Sequence, residues 1–295
     1  MSSSLPPRVP RLDPTRLIAA LAARHGLELR LLGTATTGEV GAAFVRLPDG
    51  REGVLGTLGD DSPETGARIR RAAEALALAR SRGVPVPRYE LIRPVAGVHV
   101  VIQDRLPGRP PGRADAALIE RMITATEAWS GLLTGRPGEP PSLHLDHSGP
   151  GFCLHESLRH YDRRTRRLLD RVREIGRTGP TVITGDDLTH LDYHPGNVLV
   201  DDRGLITGIV DWDFAGRGDR WFSLEVLSYG LAAGSADRAA QQLLRERIEA
   251  AVPADRLRAY RAHLALRQVD WVIRHNGPAD VDRWLAVATD RLGAD

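Results

Sequence analysis

The chain has 295 residues, 42% of them hydrophobic and 26% charged, with a formal net charge of +2. That length suits two lobes, each with its own core, and the composition is that of an ordinary soluble globular protein. No apolar run is long enough to span a membrane, and the near-balanced charge gives no support for nucleic-acid binding.

All 40 basic residues are arginine. This points to a GC-rich genome and removes lysine from any argument about phosphate binding. Met1 to Pro10 has no apolar stretch and reads as a frayed leader, not a secretion signal. Asp13-Pro14 reads as the N-cap and first residue of a short amphipathic helix carrying Leu17 to Ala23. Short strands are predicted over Leu29 to Leu32, Gly41 to Leu47 and Gly53 to Leu58, with a turn at Leu47-Pro48-Asp49-Gly50. Gly33, Gly38 and Gly41 mark a pliable connection between the first strands. Helical spacing returns from Glu64 to Arg82 and stops at Gly83-Val84-Pro85-Val86-Pro87. Tyr89 to Arg93 and Val98 to Asp104 read as further strands, and Leu106 to Gly112 as a Pro/Gly-rich break.

Beyond that break the pattern is mostly helical: Ala114 to Thr134, Glu156 to Ile175, Arg238 to Ala251, Ala254 to His275 and Ala279 to Leu292. The basic run from Arg159 to Arg177 reads as a solvated face. The single Cys153 cannot form an internal disulfide, which fits a reducing, cytoplasmic setting, and reads as a small buried hydrophobe. Amid the helices, Asn197 to Asp201 and Leu205 to Asp211 form two strands joined at Asp202-Arg203-Gly204. A strand-rich first third therefore meets a helix-rich remainder, an α+β organisation with a linker near residue 107.

The chemistry concentrates in His190-Leu191-Asp192-Tyr193-His194-Pro195-Gly196-Asn197 and in Asp211-Trp212-Asp213. Phosphoryl transfer needs an acceptor hydroxyl held in line, a carboxylate to take its proton, and a divalent cation to offset phosphate charge. A carboxylate in a loop, an amide oxygen, and a second carboxylate across a hairpin supply those parts, and magnesium favours such hard oxygen ligands. The hairpin is expected to bring Asn197 and Asp211 to one end.

This segment resembles the His-x-Asp-x-x-x-x-Asn catalytic loop of the aminoglycoside phosphotransferase and choline kinase superfamily, and Ile209-Val210-Asp211-Trp212 looks like its metal-binding strand end. Gly83 to Pro87, Gln103 to Gly108 (the hinge) and Gly218-Asp219 are also similar to that family. The resemblance implies a protein-kinase-like bilobal α+β fold, with a small antiparallel-sheet N-lobe over residues 1–106 and a larger, mainly helical C-lobe over 107–295. It implies Asp192 as catalytic base, Asn197 and Asp211 as ligands of Mg2+, and His190 and Asp219 as structural support. ATP or GTP would be co-substrate, with Asp104 and Leu106 at the purine and Gly38 and Arg71 toward the nucleotide.

Two departures stand out. On alignment, Gly56 occupies the position of the family's strand lysine and Ala72 that of its helix glutamate, with Glu74 two residues away. Three readings follow: one of Arg68, Arg70 or Arg71 compensates, magnesium and backbone amides suffice, or the protein is a nucleotide-binding pseudokinase. The second departure is Ser223, where the family commonly has aspartate, at a position usually structural.

For the acceptor, Asp186, Asp187, Asp213, Asp219, Glu225 and Asp270 gather acidic charge around the catalytic segment in an arginine-rich chain. This favours a cationic antibiotic, an aminoglycoside or a basic cyclic peptide of the capreomycin and viomycin type. Asp187, His194, Trp212, Asp213 and Asp270 are the expected substrate contacts. A metabolic kinase of the choline, homoserine or sugar type is the alternative. No nucleic-acid or membrane partner is expected.

Overall fold

The computed structural model describes residues 5–35, 40–213, 215–234 and 237–293. In chain order its elements are α1 (Pro14–His25), β1 (Arg30–Thr34), β2 (Ala43–Arg46), β3 (Glu52–Asp60), α2 (Pro63–Ser81), β4 (Tyr89–Val95), β5 (Val98–Asp104), α3 (Ala116–Ala125), α4 (His155–Tyr161), α5 (Arg163–Thr178), β6 (Asp187–Thr189), β7 (Val198–Val200), β8 (Ile206–Ile209), β9 (Gly216–Gly218), α6 (Arg220–Ala232), α7 (Arg238–Ala251), α8 (Ala254–His275) and α9 (Pro278–Leu292). These elements divide into two units. A sheet unit comprises residues 9–111 and 195–216, and a helical unit comprises 1–8, 112–194 and 217–295.

In the sheet unit, β1 to β5 form an antiparallel sheet of order β1-β2-β3-β5-β4. One group of inward side chains, Ala43, Val45, Leu55, Val100 and Ile102, closes a core with Leu17 and Leu21 of α1. A second cluster joins Leu58 and Val101 to Ile69 of α2. Both helices start where the sequence provides caps. Asp13 accepts from Arg16 N–H and Ser62 from Thr65 N–H, each followed by proline as the first helical residue. Gly26 ends α1 in the left-handed region.

The expected boundary at 106/107 falls five residues short of the break after Pro111, and the β7–β8 hairpin belongs to the sheet unit instead of the helical one. The reason is backbone pairing far apart in sequence. Ile209 N–H donates to Pro85 O (2.7 Å), and Arg109 and Val200 exchange backbone hydrogen bonds (3.1 and 2.8 Å). Thr207 Oγ1 also donates to Pro107 O (2.7 Å).

In the helical unit, α7 and α8 match their expected bounds. The helix expected over 156–175 is two helices. Asp162 leaves helical geometry to cap α5, and Asp162 and Thr165 form a reciprocal capping box. The helix expected to Thr134 ends at Ala125 and passes into a 3-10 turn, Thr126–Trp129. Helix α6 had no sequence prediction, because nine of its thirteen residues are buried and no amphipathic stripe marks it. The short β6 and β9 pair with each other. No helix among the described residues is long and apolar enough to cross a membrane.

Candidate active site

The expected site residues divide between the two units: Asp192 and His194 lie in the helical unit, Asn197 and Asp211 in the sheet unit. In the helical unit the loop follows β6. His190 is fully buried. Its N–H donates to Ser223 Oγ (2.9 Å), and its Nδ1 accepts the N–H of Asp192 (3.1 Å). Ser223 therefore holds the loop from behind with its hydroxyl. Tyr193 is buried edge-on to Trp129, and its hydroxyl donates to Met122 O (2.9 Å). The residues around Asp192 are thus pinned while its own side chain keeps 36% exposure.

Sequence reasoning missed one group that faces Asp192, namely Arg267 of α8. One guanidinium nitrogen pairs with Asp192 Oδ1 and another donates to Leu191 O. The other carboxylate oxygen lies 3.4 Å from His194 Nε2. Burial raises the Asp192 pKa, but Arg267 and then His194 outweigh it and hold the carboxyl well below its ordinary range. The available signal was a period. Arg267, Asp270 and Arg274 stand at i, i+3 and i+7 and so share one face of α8.

In the sheet unit, Pro195–Asn197 is a 3-10 turn leading into β7, and Asn197 is buried. Val198 pairs with Ile209 across the hairpin, and Val210 N–H then donates to Asn197 O (2.9 Å). Asn197 therefore sits opposite the residue that precedes Asp211. Asp211 has φ +64°, a left-handed conformation that aspartate tolerates better than most residues. Trp212 anchors this turn: it is buried, and its indole N–H donates to Ile209 O (2.7 Å). Tyr89 of β4 was also missed. Burial, then the charges of Asp213 and Asp211, push its phenol pKa up, so a neutral hydroxyl accompanies both carboxylates. An amide oxygen and a carboxylate on neighbouring rungs of one hairpin fit Mg2+, which takes few protein ligands and completes its shell with phosphate oxygens and water.

Of the expected nucleotide residues, Gly38 lies outside the described residues. Asp104 is occupied structurally. Its N–H donates to Arg88 O (3.0 Å), and its carboxylate accepts from Arg88 N–H (2.5 Å) and pairs with Arg80 (3.0 Å). Leu106 packs on Gly208, where an added Cβ would meet it at 3.0 Å. Arg71 is exposed on α2. At the lysine position, Gly56 pairs with Val101, and a Cβ built on it meets nothing within 4 Å. Ala72 is buried on α2, and Glu74 is exposed. Arg68 is half-buried with its pKa lowered by burial, near the charge of Asp60.

Three expected substrate contacts have partners within the fold. Asp270 is fully buried. Its carboxylate binds Arg274 (2.9 and 3.0 Å), Ser157 Oγ (2.5 Å) and Leu154 N–H (3.0 Å). Asp187 accepts Gly131 N–H (2.7 Å) and Arg220 N–H (3.0 Å), so it staples the backbone. Trp212 is a core residue for the reason given above. His194 is partly exposed in the helical unit and Asp213 exposed in the sheet unit. Asp219 caps α6 and accepts from Tyr260 OH (2.9 Å).

A small antiparallel sheet, a helical unit and a braced Asp-loop agree with the kinase-like phosphotransferase class that the sequence motif resembles. The model of the phosphotransferase enzyme family matches residues 34–262, and the chain belongs to that family. Among solved structures it is similar to aminoglycoside phosphotransferase APH(4)-Ia, with 19% identity, 96% of this chain and 100% of that one covered, and a TM-score of 0.63. It is also similar to an aminoglycoside-3'-phosphotransferase of type VIII, with 23% identity, coverage of 84% and 98%, and a TM-score of 0.57. A thermostable APH(4)-Ia mutant in ternary complex with ADP and hygromycin B matches at 18% identity, with coverage of 95% and 99% and a TM-score of 0.60. At these identities the likeness concerns the fold. No curated protein matches.

Proposed function

We propose that the chain transfers the γ-phosphoryl group of ATP or GTP to a hydroxyl of a cationic antibiotic, an aminoglycoside or a basic cyclic peptide of the capreomycin and viomycin type. The observation that carries the phosphotransfer reading is the bracing of Asp192. Its backbone is fixed by His190 and its carboxylate by Arg267. The antibiotic class draws support from the hygromycin B complex of the structural relative.

In this reading Asp192 accepts the hydrogen bond of the acceptor hydroxyl and aims its oxygen at the γ-phosphorus. As the new P–O bond forms and the nucleoside diphosphate departs, the hydroxyl proton passes to the Asp192 carboxylate. A carboxylate of depressed pKa orients the hydroxyl more than it drives early deprotonation, which suits a transition state with little bond formation to the nucleophile. Asn197 and Asp211 would hold Mg2+, which supplies charge compensation to the phosphates. With Gly56 and Ala72 in place of lysine and glutamate, the remaining phosphate charge falls to arginine, with Arg68, Arg70 and Arg71 on α2 as the nearest candidates in sequence.

One observation favours a metabolic hydroxyl compound as second reading. Five of the six carboxylates that suggested a polycationic acceptor are consumed inside the helical unit: Asp186 by Arg217, Asp187 by two backbone N–H groups, Asp219 by Tyr260, Glu225 by Arg261 and Asp270 by Arg274. The test incubates the chain with Mg2+ and ATP or GTP beside cationic antibiotics, amino alcohols and sugars, following nucleotide consumption and product mass. Phosphorylated antibiotic is expected. Turnover confined to amino alcohols or sugars selects the second reading. Nucleotide binding without any turnover overturns both, leaving a binding module.

A further inference from the structure

The segment that leads into α4 of the helical unit carries a histidine arrangement that the phosphotransfer chemistry does not use. His144 Nδ1 and His147 Nε2 face each other at 3.3 Å. His147 Nδ1 lies 2.6 Å from Asp146 Oδ1. An ionised carboxylate only accepts, so His147 Nδ1 carries a proton and donates, which in the neutral ring leaves Nε2 with a lone pair. Two nitrogens bound to one tetrahedral zinc-class ion at 2.0–2.1 Å stand about 3.3 Å apart. A carboxylate on the far nitrogen of a ligating imidazole is also the usual outer-shell partner in such sites.

The loop is built around these rings. His144 adopts φ +48°, a left-handed conformation rare for a non-glycine residue. Its ring stands edge-on to Phe152 (centroids 5.5 Å apart), and its carbonyl accepts from His155 Nε2 (2.9 Å). A Cβ on Gly149 would lie 2.9 Å from the His144 ring and 2.5 Å from Phe152 O, so glycine keeps the ring's place open. The pair is also reachable: His147 is 59% exposed and Asp146 58%.

We propose that His144 Nδ1 and His147 Nε2 form a two-imidazole site for a divalent transition-metal ion of the zinc class, oriented by Asp146, with water filling the remaining positions. Among the described residues no group of three or more His, Cys, Asp or Glu has metal-holding geometry. The site is therefore an open one of moderate affinity, not a closed structural cage. On binding, the His144 proton moves from Nδ1 to Nε2, so the tautomer changes and no net proton leaves. The ion would tie together the loop that the His144–His147 hydrogen bond closes without it.

The test titrates the metal-free full chain with Zn2+ in excess Mg2+, which occupies hard-oxygen sites, by calorimetry and by thermal unfolding. Wild type is expected to bind one Zn2+ through this pair and to gain Tm, with Co2+ broadening the His144 and His147 ring resonances. His147→Ala, at an exposed position, is expected to fold and lose that equivalent. Asp146→Asn is expected to weaken it by about 10–100-fold. A Zn2+ isotherm and a Tm response that His147→Ala leaves unchanged would overturn the proposal, as would Co2+ broadening of other histidines alone. Because the readouts are metal binding and stability, the outcome is independent of which acceptor the enzyme phosphorylates.

Discussion

The two units differ in how deeply they bury charge: both carry exposed ion pairs, and the helical unit also holds nearly fully buried ones. In the sheet unit Arg46–Glu52, Arg51–Asp49 and Arg105–Glu52 leave every partner at least 39% exposed, and Arg51–Glu90 and Arg80–Asp104 keep the arginine at least 37% exposed. Such pairs are screened by solvent and contribute little to stability. In the helical unit, Asp270 with Arg274 and Glu225 with Arg291 are between 0% and 2% exposed. A buried charge is tolerated only with a partner, and losing the partner is far costlier than losing a surface pair. The contrast bears on the acidic residues. Around the catalytic segment they look like a cation-binding set in sequence, but most serve as internal struts. Burial even raises the Glu225 pKa against the pull of Arg261 and Arg291.

The sharpest break of this comparison is Asp192→Ala. It should cost about 100- to 10,000-fold in kcat, while nucleotide binding, measured by calorimetry, persists because the sheet unit is untouched. Retained turnover near wild type would remove Asp192 as the base. Asp211→Asn should do the reverse. Loss of Mg2+-dependent nucleotide affinity, with kcat/KM down by roughly 100-fold or more, should leave the thermal unfolding of the helical unit intact. An unchanged Mg2+ dependence would argue against the hairpin as the metal site.

Asp270→Ala tests the internal-strut assignment. Chemical denaturation should show a loss of about 3–5 kcal/mol, because Arg274 remains buried without its partner, while KM for the acceptor stays constant. A raised KM at unchanged stability would return Asp270 to the substrate site. Arg267→Gln probes the arginine pairing of Asp192. Arg267 depresses the Asp192 pKa, so its removal should move the acid limb of kcat upward by about 1–3 pH units. The same sign governs stability. The contribution of a depressed carboxylate is present above its unfolded pKa and is lost as pH falls through the folded one, so acid unfolding of the variant should begin at higher pH. Smallest are the effects of Arg68→Ala, Arg70→Ala and Arg71→Ala. At least one should raise KM for nucleotide a few-fold, and three unchanged values would exclude α2 as the source of the missing lysine's charge.

Elements with a strong local code were legible. Helices α7 and α8 match their expected bounds, and the five strands of the large sheet fall where alternation and turns placed them. Helix α6 was not legible, since a helix buried on all sides has no polar face to reveal its period. Asp162 was hidden for another reason: a capping aspartate between two helical runs reads as one more surface residue until its hydrogen bond to Thr165 N–H is seen. Within the candidate site, Asp192, Asn197 and Asp211 could be singled out as candidates because spacing along a loop and hairpin is a local property. Tyr89 and Arg267 were not, since their partners lie far away in sequence.

The sequence by itself determined the chemical vocabulary of this protein: a loop carboxylate, an amide and a carboxylate on one hairpin, no lysine, and a sheet-then-helix order. Periodicity, caps and turn residues act over a few positions, so they survive in a linear reading. Tertiary structure alone decided which charges are spent. It paired Arg267 with Asp192 across 75 residues, Asp270 with Ser157 across 113, and joined Ile209 to Pro85 so that the hairpin sits with the sheet. A carboxylate's role depends on whether a cation or an N–H group meets it after folding, and composition near a motif carries no record of that meeting.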